Sequence, residues 1–293
     1  GLLVIGGALV LNQEMNIGQF VAAEIIILLV ITSVEKLILG LEPFYDVITS
    51  IEKIGQVVDK SLEAQDGQRP NLNEVIDVEL SNVSYKVNNR EKPILNDISL
   101  TIKANDRILI QGESGSGKSS LLRVLAGVIL PTSGKTTINN FAIESLHLNH
   151  YRAHLGLSLS EESTFEGTLR ENITFGNDNI TDDDVLWALE KVGLLDFLSI
   201  QKNGLNTILY PEGKQMSNTI AKKIVLARAI VKRPKLLILE DALDQFNTEE
   251  TNSIIDFLTS DKNDWALIVV SSNNRWRKGC TEIITLEKGK RKE

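Results

Sequence analysis

Hydrophobic and polar positions divide the 293-residue chain into two textures. Up to about residue 63, apolar residues run on with few breaks. Residues 1–12 are apolar and begin without an initiator methionine, so they read as the tail of a longer hydrophobic segment. Residues 13–17 form a polar break, and 17–41 are again mostly apolar, with 25–34 dominated by Ile, Leu and Val. At about 1.5 Å of helical rise per residue, the stretch 17–41 is long enough to cross a bilayer. Glu24, Glu35 and Lys36 interrupt it and are expected to face other helices or a watery cavity rather than lipid. Pro43 is expected to bend the chain, with an amphipathic helix over 44–63. Gly67, Pro70 and their polar neighbours predict a linker over 64–74.

From about residue 75 the texture changes. Residues 78–86 and 98–102 alternate or cluster β-branched residues as strands do, and 108–110, 136–138, 155–159, 235–239, 266–270 and 283–286 are further short strands. Helices are expected over 117–126, 182–197, 218–231 and 248–258. Thr181 suits the cap of the second of these, and Asp182, Asp183 and Asp184 suit its positive end. The third carries its lysines on one side. Strands alternating with helices imply a parallel sheet covered on both faces, with a charged tail after the last strand.

The strand 108–110 runs into Gln111-Gly112-Glu113-Ser114-Gly115-Ser116-Gly117-Lys118-Ser119-Ser120, which fits G-x-x-x-x-G-K-[ST]. Glycines let the backbone curl so that successive N–H groups face an anion, and the helix starting at Lys118 aims its positive end at the same place. Lys118 can reach β- and γ-phosphates, and Ser119 can ligate Mg²⁺. Glu113, Ser114, Ser116 and Ser120 complete the expected nucleotide-binding loop. Further on, an apolar strand ends in Glu240 and Asp241. Adjacent acids at the end of a buried strand are costly unless a cation or water satisfies them, which makes them the second half of an Mg²⁺–nucleotide site.

Composition narrows the alternatives. A net charge of −8 leaves no basic excess to neutralise nucleic-acid phosphates, so no nucleic-acid partner is expected. The single cysteine, Cys280, excludes a disulfide framework or a Cys-rich metal site. His147, His150 and His154 lack the accompanying ligands of a zinc site and read as a local polar stretch. No cleavable signal peptide is evident. A soluble P-loop kinase or GTPase is disfavoured by the apolar first quarter and by the absence of an Asn-Lys-x-Asp motif.

The order of elements from residue 75 onward resembles the nucleotide-binding domain of an ATP-binding cassette (ABC) transporter. Residues 1–63 resemble the last two membrane helices and cytoplasmic extension of an exporter-type half-transporter. Besides the phosphate loop, the resemblance rests on Phe165-Glu166-Gly167-Thr168-Leu169-Arg170-Glu171-Asn172-Ile173, on Ala227-Arg228-Ala229 and on 236–239. It implies an ABC-type α/β P-loop NTPase fold: a mainly parallel sheet with an antiparallel portion and a helical subdomain, preceded by transmembrane helices. The implied division is 1–63 membrane domain, 64–74 linker and 75–293 nucleotide-binding domain. ATP and Mg²⁺ are the implied cofactors. A second half-transporter and membrane lipid are the implied partners, with the nucleotide-binding domain cytoplasmic.

Residue by residue, the resemblance makes Tyr85 the aromatic that stacks on adenine and Glu240 an Mg²⁺ ligand. It makes Asp241 the residue polarising the attacking water, Ser160 the counterpart of the glutamine that contacts Mg²⁺, and Ser272 the counterpart of the switch histidine. Ser217, Asn218 and Thr219 fall on the signature segment, which serves the partner's phosphate loop. Several of these depart from the family pattern. Asn218 and Thr219 replace two glycines, Ser160 is shorter than glutamine, Glu240-Asp241 reverses the usual acid pair, and Ser272 lacks an imidazole. The dimer-contact loop corresponds to Asp244-Gln245-Phe246-Asn247. Nucleotide binding is therefore expected, with weak or absent hydrolysis.

Overall fold

A computed structural model describes residues 1–60, 62–63, 66–87, 90–210, 216–243, 246 and 248–292. It divides into two compact units, 1–63 and 64–293. The first consists of α1 (Leu2–Leu11) and α2 (Ile17–Val58). Asn16 caps α2: its side chain accepts from the Gln19 N–H while Gln19 reaches back to the Asn16 N–H. Gly6 is where α1 and α2 meet, since a Cβ there would lie 2.2 Å from the Phe20 ring. Glu24 lines the crevice between them with Ile5, Gly6 and Leu9. No described residue of α2 is buried, and by length and composition α2 can cross a membrane.

Pro43 lies inside this helix: the stretches expected on either side of it form one element of 42 residues. Proline removes only the bond to the Leu39 carbonyl, and the helix-forming runs on both sides carry through.

The second unit holds β1 (Val78–Tyr85), β2 (Leu95–Ile102), β3 (Arg107–Gly112), α3 (Lys118–Leu125), β4 (Ser133–Ile138), β5 (Phe141–Ala142), α4 (Leu148–Ala153) and β6 (Leu155–Ser158). There follow β7 (Gly167–Thr168), α5 (Leu169–Thr174), α6 (Asp182–Lys191), α7 (Leu195–Ser199), β8 (Ile208–Leu209) and α8 (Asn218–Ile230). The chain then forms β9 (Leu236–Glu240), α9 (Thr248–Leu258), β10 (Ala266–Val270), β11 (Glu282–Glu287) and β12 (Lys290–Lys292).

The main sheet has the order β12-β11-β3-β10-β9-β6, parallel except for β12. A second, antiparallel sheet has the order β2-β1-β4-β5. Residues 66–74 belong to this unit: Gln68 donates its N–H to the Ser145 carbonyl and Leu72 is fully buried.

The central strands are apolar throughout because both faces are covered. Ile108, Ile110, Leu236, Ile238 and Ile268 face a core shared with β1, β2 and α3. Leu109, Leu237, Leu239, Leu267 and Val269 face a second core built with α5, α6, α8 and α9. At about 1.5–3 kcal/mol for each fully buried large apolar side chain, these two layers hold the sheet's carboxyl edge in place.

Two helical expectations are corrected. The helix expected over 182–197 is two, because Gly193 adopts φ +68 between α6 and α7. The adjacent lysines of α8 go to different partners rather than acting as one side of the helix. Lys223 is buried, with its ammonium on the Gly193 carbonyl and on Glu250, while Lys222 bonds the Ser160 carbonyl.

Candidate nucleotide site

The carboxyl ends of β3, β9 and β10 open into one cavity of about 750 Å³. Its lining includes Gly112, Ser114, Gly115, Gly117, Lys118, Ser119 and Ser120 from the β3–α3 turn, Ser160 after β6, Glu240 and Asp241 from β9, and Ser272 after β10. Most of the residues singled out in the sequence thus meet in one place. This is where a parallel α/β sheet puts its ligands.

The turn is shaped by its glycines. Gly112, Gly115 and Gly117 have φ of +150, +78 and +103, which a side chain would strain. At Gly112 a Cβ would also lie 2.2 Å from the Leu286 carbonyl, so β11 seals the back of the loop. Lys118 donates to the carbonyls of Gly112 (2.9 Å) and Glu113 (2.8 Å), folding its ammonium back over the turn and leaving one donor for an anion. Ser116 is buried, and its hydroxyl has no partner among the described residues. A cradle of curled backbone with a cation across it suits a phosphate chain.

Glu240 is the buried acid, only 4 % exposed. Ser119 donates its hydroxyl to Oε1, and Ser160 donates its hydroxyl (3.1 Å) and its N–H (3.3 Å) to Oε2. These bonds satisfy the carboxylate without a cation of the chain itself. The all-oxygen set of Ser119, Ser160 and Glu240 also suits a hard divalent cation, so the residues present fit Mg²⁺. Asp241 is exposed at φ +47, its N–H on the Val270 carbonyl at 2.9 Å.

Six expected residues lie outside the lining. Tyr85 is half-buried and packs against the core, and neither Glu113 nor Ser116 lines the cavity. Ser217 caps α8, accepting from the Ile220 N–H at 3.3 Å, with Asn218 and Thr219 in the first turn; none of the three lines this cavity. Of the dimer-contact loop, Asp244, Gln245 and Asn247 lie outside the described residues.

Sequence reasoning missed Arg90, Ile94, Gln111, Val270 and Ser271, all of which line the cavity. Gln111 was adjacent to the motif. Arg90 carried no signal, since it sits in a polar stretch with no periodicity. The three histidines do local work: His147 caps α4, and His150 and His154 meet edge to face with ring centroids 4.8 Å apart while holding Pro70 and Asn73 respectively.

Beside the cavity, the chain after Ser160 forms a groove of about 520 Å³ lined by Glu162, Phe165, Phe175 and Arg228, among others. Arg228 lies 5.5 Å from both aromatic rings and donates to the Asn172 carbonyl at 2.7 Å. Burial pushes the Glu162 carboxyl up to about 7, with the Arg228 charge opposing the shift.

Comparison with known proteins agrees with this geometry. A family model described as ABC transporter matches residues 95–244. The leukotoxin translocation ATP-binding protein LktB of Mannheimia glucosida is 28% identical over 288 residues, which is 98% of this chain and 40% of that protein. The alpha-hemolysin translocation ATP-binding protein HlyB of Escherichia coli O157:H7 is 29% identical over 288 residues, 98% of this chain and 41% of that protein. The chain therefore spans about two fifths of the length of these curated relatives. A solved structure of a bacterial Atm1-family ABC exporter with ATP bound superposes with a TM-score of 0.75 at 23% identity, covering 84% of this chain and 43% of that one, which shows the shared fold. From the match across half the chain, with the phosphate loop and the strand-end acids inside it, the protein belongs to the ABC transporter family and carries that family's ATP-binding domain.

Proposed function

We propose that this chain is the MgATP-binding part of an ABC exporter half-transporter, in which nucleotide binding drives or gates transport and hydrolysis is slow. The observation that carries the reading is the convergence of the Lys118 ammonium, the glycine-shaped turn and the Glu240–Ser119–Ser160 oxygen cluster on one cavity.

In this reading the N–H groups of the turn and Lys118 hold the phosphate oxygens. Ser119, Glu240 and Ser160 hold Mg²⁺, which when bound neutralises charge on the phosphates. Tyr85 offers an aromatic face to the base. Asp241 orients the attacking water, one methylene short of a glutamate, and Ser272 stands where an imidazole would bridge water and phosphate. A misplacement of about 1 Å costs on the order of a hundredfold in rate, so these positions slow turnover while leaving binding intact. Ser217, Asn218 and Thr219 present a signature segment without glycines to a partner subunit's phosphate loop. The membrane unit, 1–63, sits in lipid with the ATP-binding domain on the cytoplasmic side. The likeness to LktB and HlyB, named as translocation ATP-binding proteins, supports the exporter assignment.

The side chains at Ser160, Asn218, Thr219, Asp241 and Ser272 favour a second form of the same reading: a non-hydrolysing half that binds ATP and supports or regulates a competent partner. Phosphate release by the pure chain, with and without Lys118→Ala, separates the forms. Equal near-zero rates alongside measurable ATP binding by the unmutated chain select the non-hydrolysing form. Turnover of about 1 per second or faster that vanishes in the variant refutes slow hydrolysis.

A further inference from the structure

At the opposite end of β3 from the nucleotide cavity lies a second cavity of about 640 Å³. Arg107, the first residue of β3, meets Asn252, Asp256 and Thr259 from α9 and its end, and Arg275 and Lys278 from the short 3-10 helix Asn274–Lys278. Three cations and one carboxylate thus share one concave surface. Its size is that of a small-molecule site and exceeds what a bare ion needs.

The partners of these cations matter. The Arg107 side chain is only 13% exposed, yet its ion-pair partner at 2.7 Å, Asp261, is 94% exposed. A carboxylate that free in solvent is a weak, exchangeable partner for a planar guanidinium, which a bidentate oxyanion matches better. Lys278 is exposed and has no ion-pair partner among the described residues. The neighbouring Cys280 thiol is pushed up to about 11 by burial, against the pull of Arg107, so it is neutral at pH 7 and supplies no countercharge. Asp256, in contrast, repels an oxyanion but accepts from a hydroxyl.

We propose that this cavity is a second ligand site that binds a small organic phosphate monoester. Arg107, Arg275 and Lys278 grip the phosphate, and Asp256 and Asn252 accept from hydroxyls of the ester. The site shares no lining residue with the nucleotide cavity. The 3-10 helix that carries two of its cations begins just after Ser271 and Ser272, and Arg277 on the same helix donates to Gln111 of the nucleotide cavity.

The test is calorimetric titration of the full chain in detergent micelles with glycerol 3-phosphate and with inorganic phosphate, on a Lys118→Ala background that disables the phosphate loop. One site per chain is expected, with the ester at least about threefold tighter than inorganic phosphate. Arg275→Gln or Lys278→Gln is expected to weaken ester binding by about tenfold. Lys278 is exposed, so its variant keeps the fold. No ester binding at millimolar concentration, equal affinity for ester and inorganic phosphate, or unchanged affinity in both variants overturns the assignment. ATP titration of the unmutated chain is a separate measurement, so failure here is distinguishable from failure of the nucleotide site.

Discussion

The nucleotide cavity has two walls of different construction. The turn between β3 and α3 is shaped by backbone: three glycines at positive φ and one lysine folded across them. The facing wall, after β6 and at the ends of β9 and β10, relies on the side chains of Ser160, Glu240, Asp241 and Ser272. Backbone N–H groups bind phosphate whatever side chains surround them, so the first wall tolerates divergence nearby. Side-chain chemistry depends on reach and on the group at the tip, so under the proposed reading one methylene or an absent imidazole is expected to change the rate. On the proposed reading, binding rests on the first wall and turnover on the second, so each is open to change without the other.

The strongest way to break the comparison is on the backbone wall. Lys118→Ala is expected to weaken MgATP binding about 10- to 150-fold, since a hydrogen-bonded charge contributes on the order of 1.5–3 kcal/mol. A fluorescence titration showing less than a threefold loss contradicts the role of that wall. On the facing wall, Asp241→Glu combined with Ser272→His is expected to raise phosphate release on the order of tenfold, with ATP affinity changed little. Unchanged release means that the missing reach is not what limits turnover. Glu240→Gln is expected to weaken binding about tenfold in magnesium and hardly at all in EDTA, which titration in the two buffers reads directly.

The smallest effect lies in the neighbouring groove. Burial raises the Glu162 carboxyl to about 7, above its unfolded value, so the folded chain holds a proton there that the unfolded chain has released. Stability is then lost as pH rises from about 4.5 through 7, on the order of 1 kcal/mol once solvent access is allowed for. Glu162→Gln is expected to flatten that slope and to be the more stable form at pH 8. Chemical denaturation at pH 5 and pH 8 checks it, and parallel slopes for the two proteins contradict it.

What the sequence disclosed follows from how local each signal is. The runs ending β9 and β10 were readable because strands buried on both faces are apolar at every position. Thr181 was readable because a cap acts within three residues, and its hydroxyl does accept from the Asp184 N–H. The pairing of β7 with β8, two residues each, was not readable, because it joins Gly167 to Leu209 across the whole of α5, α6 and α7. The helix α5 carried a Thr168–Glu171 capping box that could have located it. The continuity of α2 through Pro43 was not legible, because it depends on the helical runs on both sides of the proline. Lys223 misled because its burial depends on a carbonyl at Gly193 and an acid at Glu250, neither of which is near it in sequence. In the cavity, the motif residues were legible by spacing, whereas Arg90 and Ser271 are brought in by the fold alone.

The most direct measurement of the central claim is an ATP titration of the intact chain with and without magnesium, followed by a phosphate-release assay on the same sample. Saturable binding that tightens with magnesium is expected, with release well below about 1 per second. A folded sample that does not bind ATP in magnesium contradicts the nucleotide site, and fast release contradicts the division of labour between its two walls.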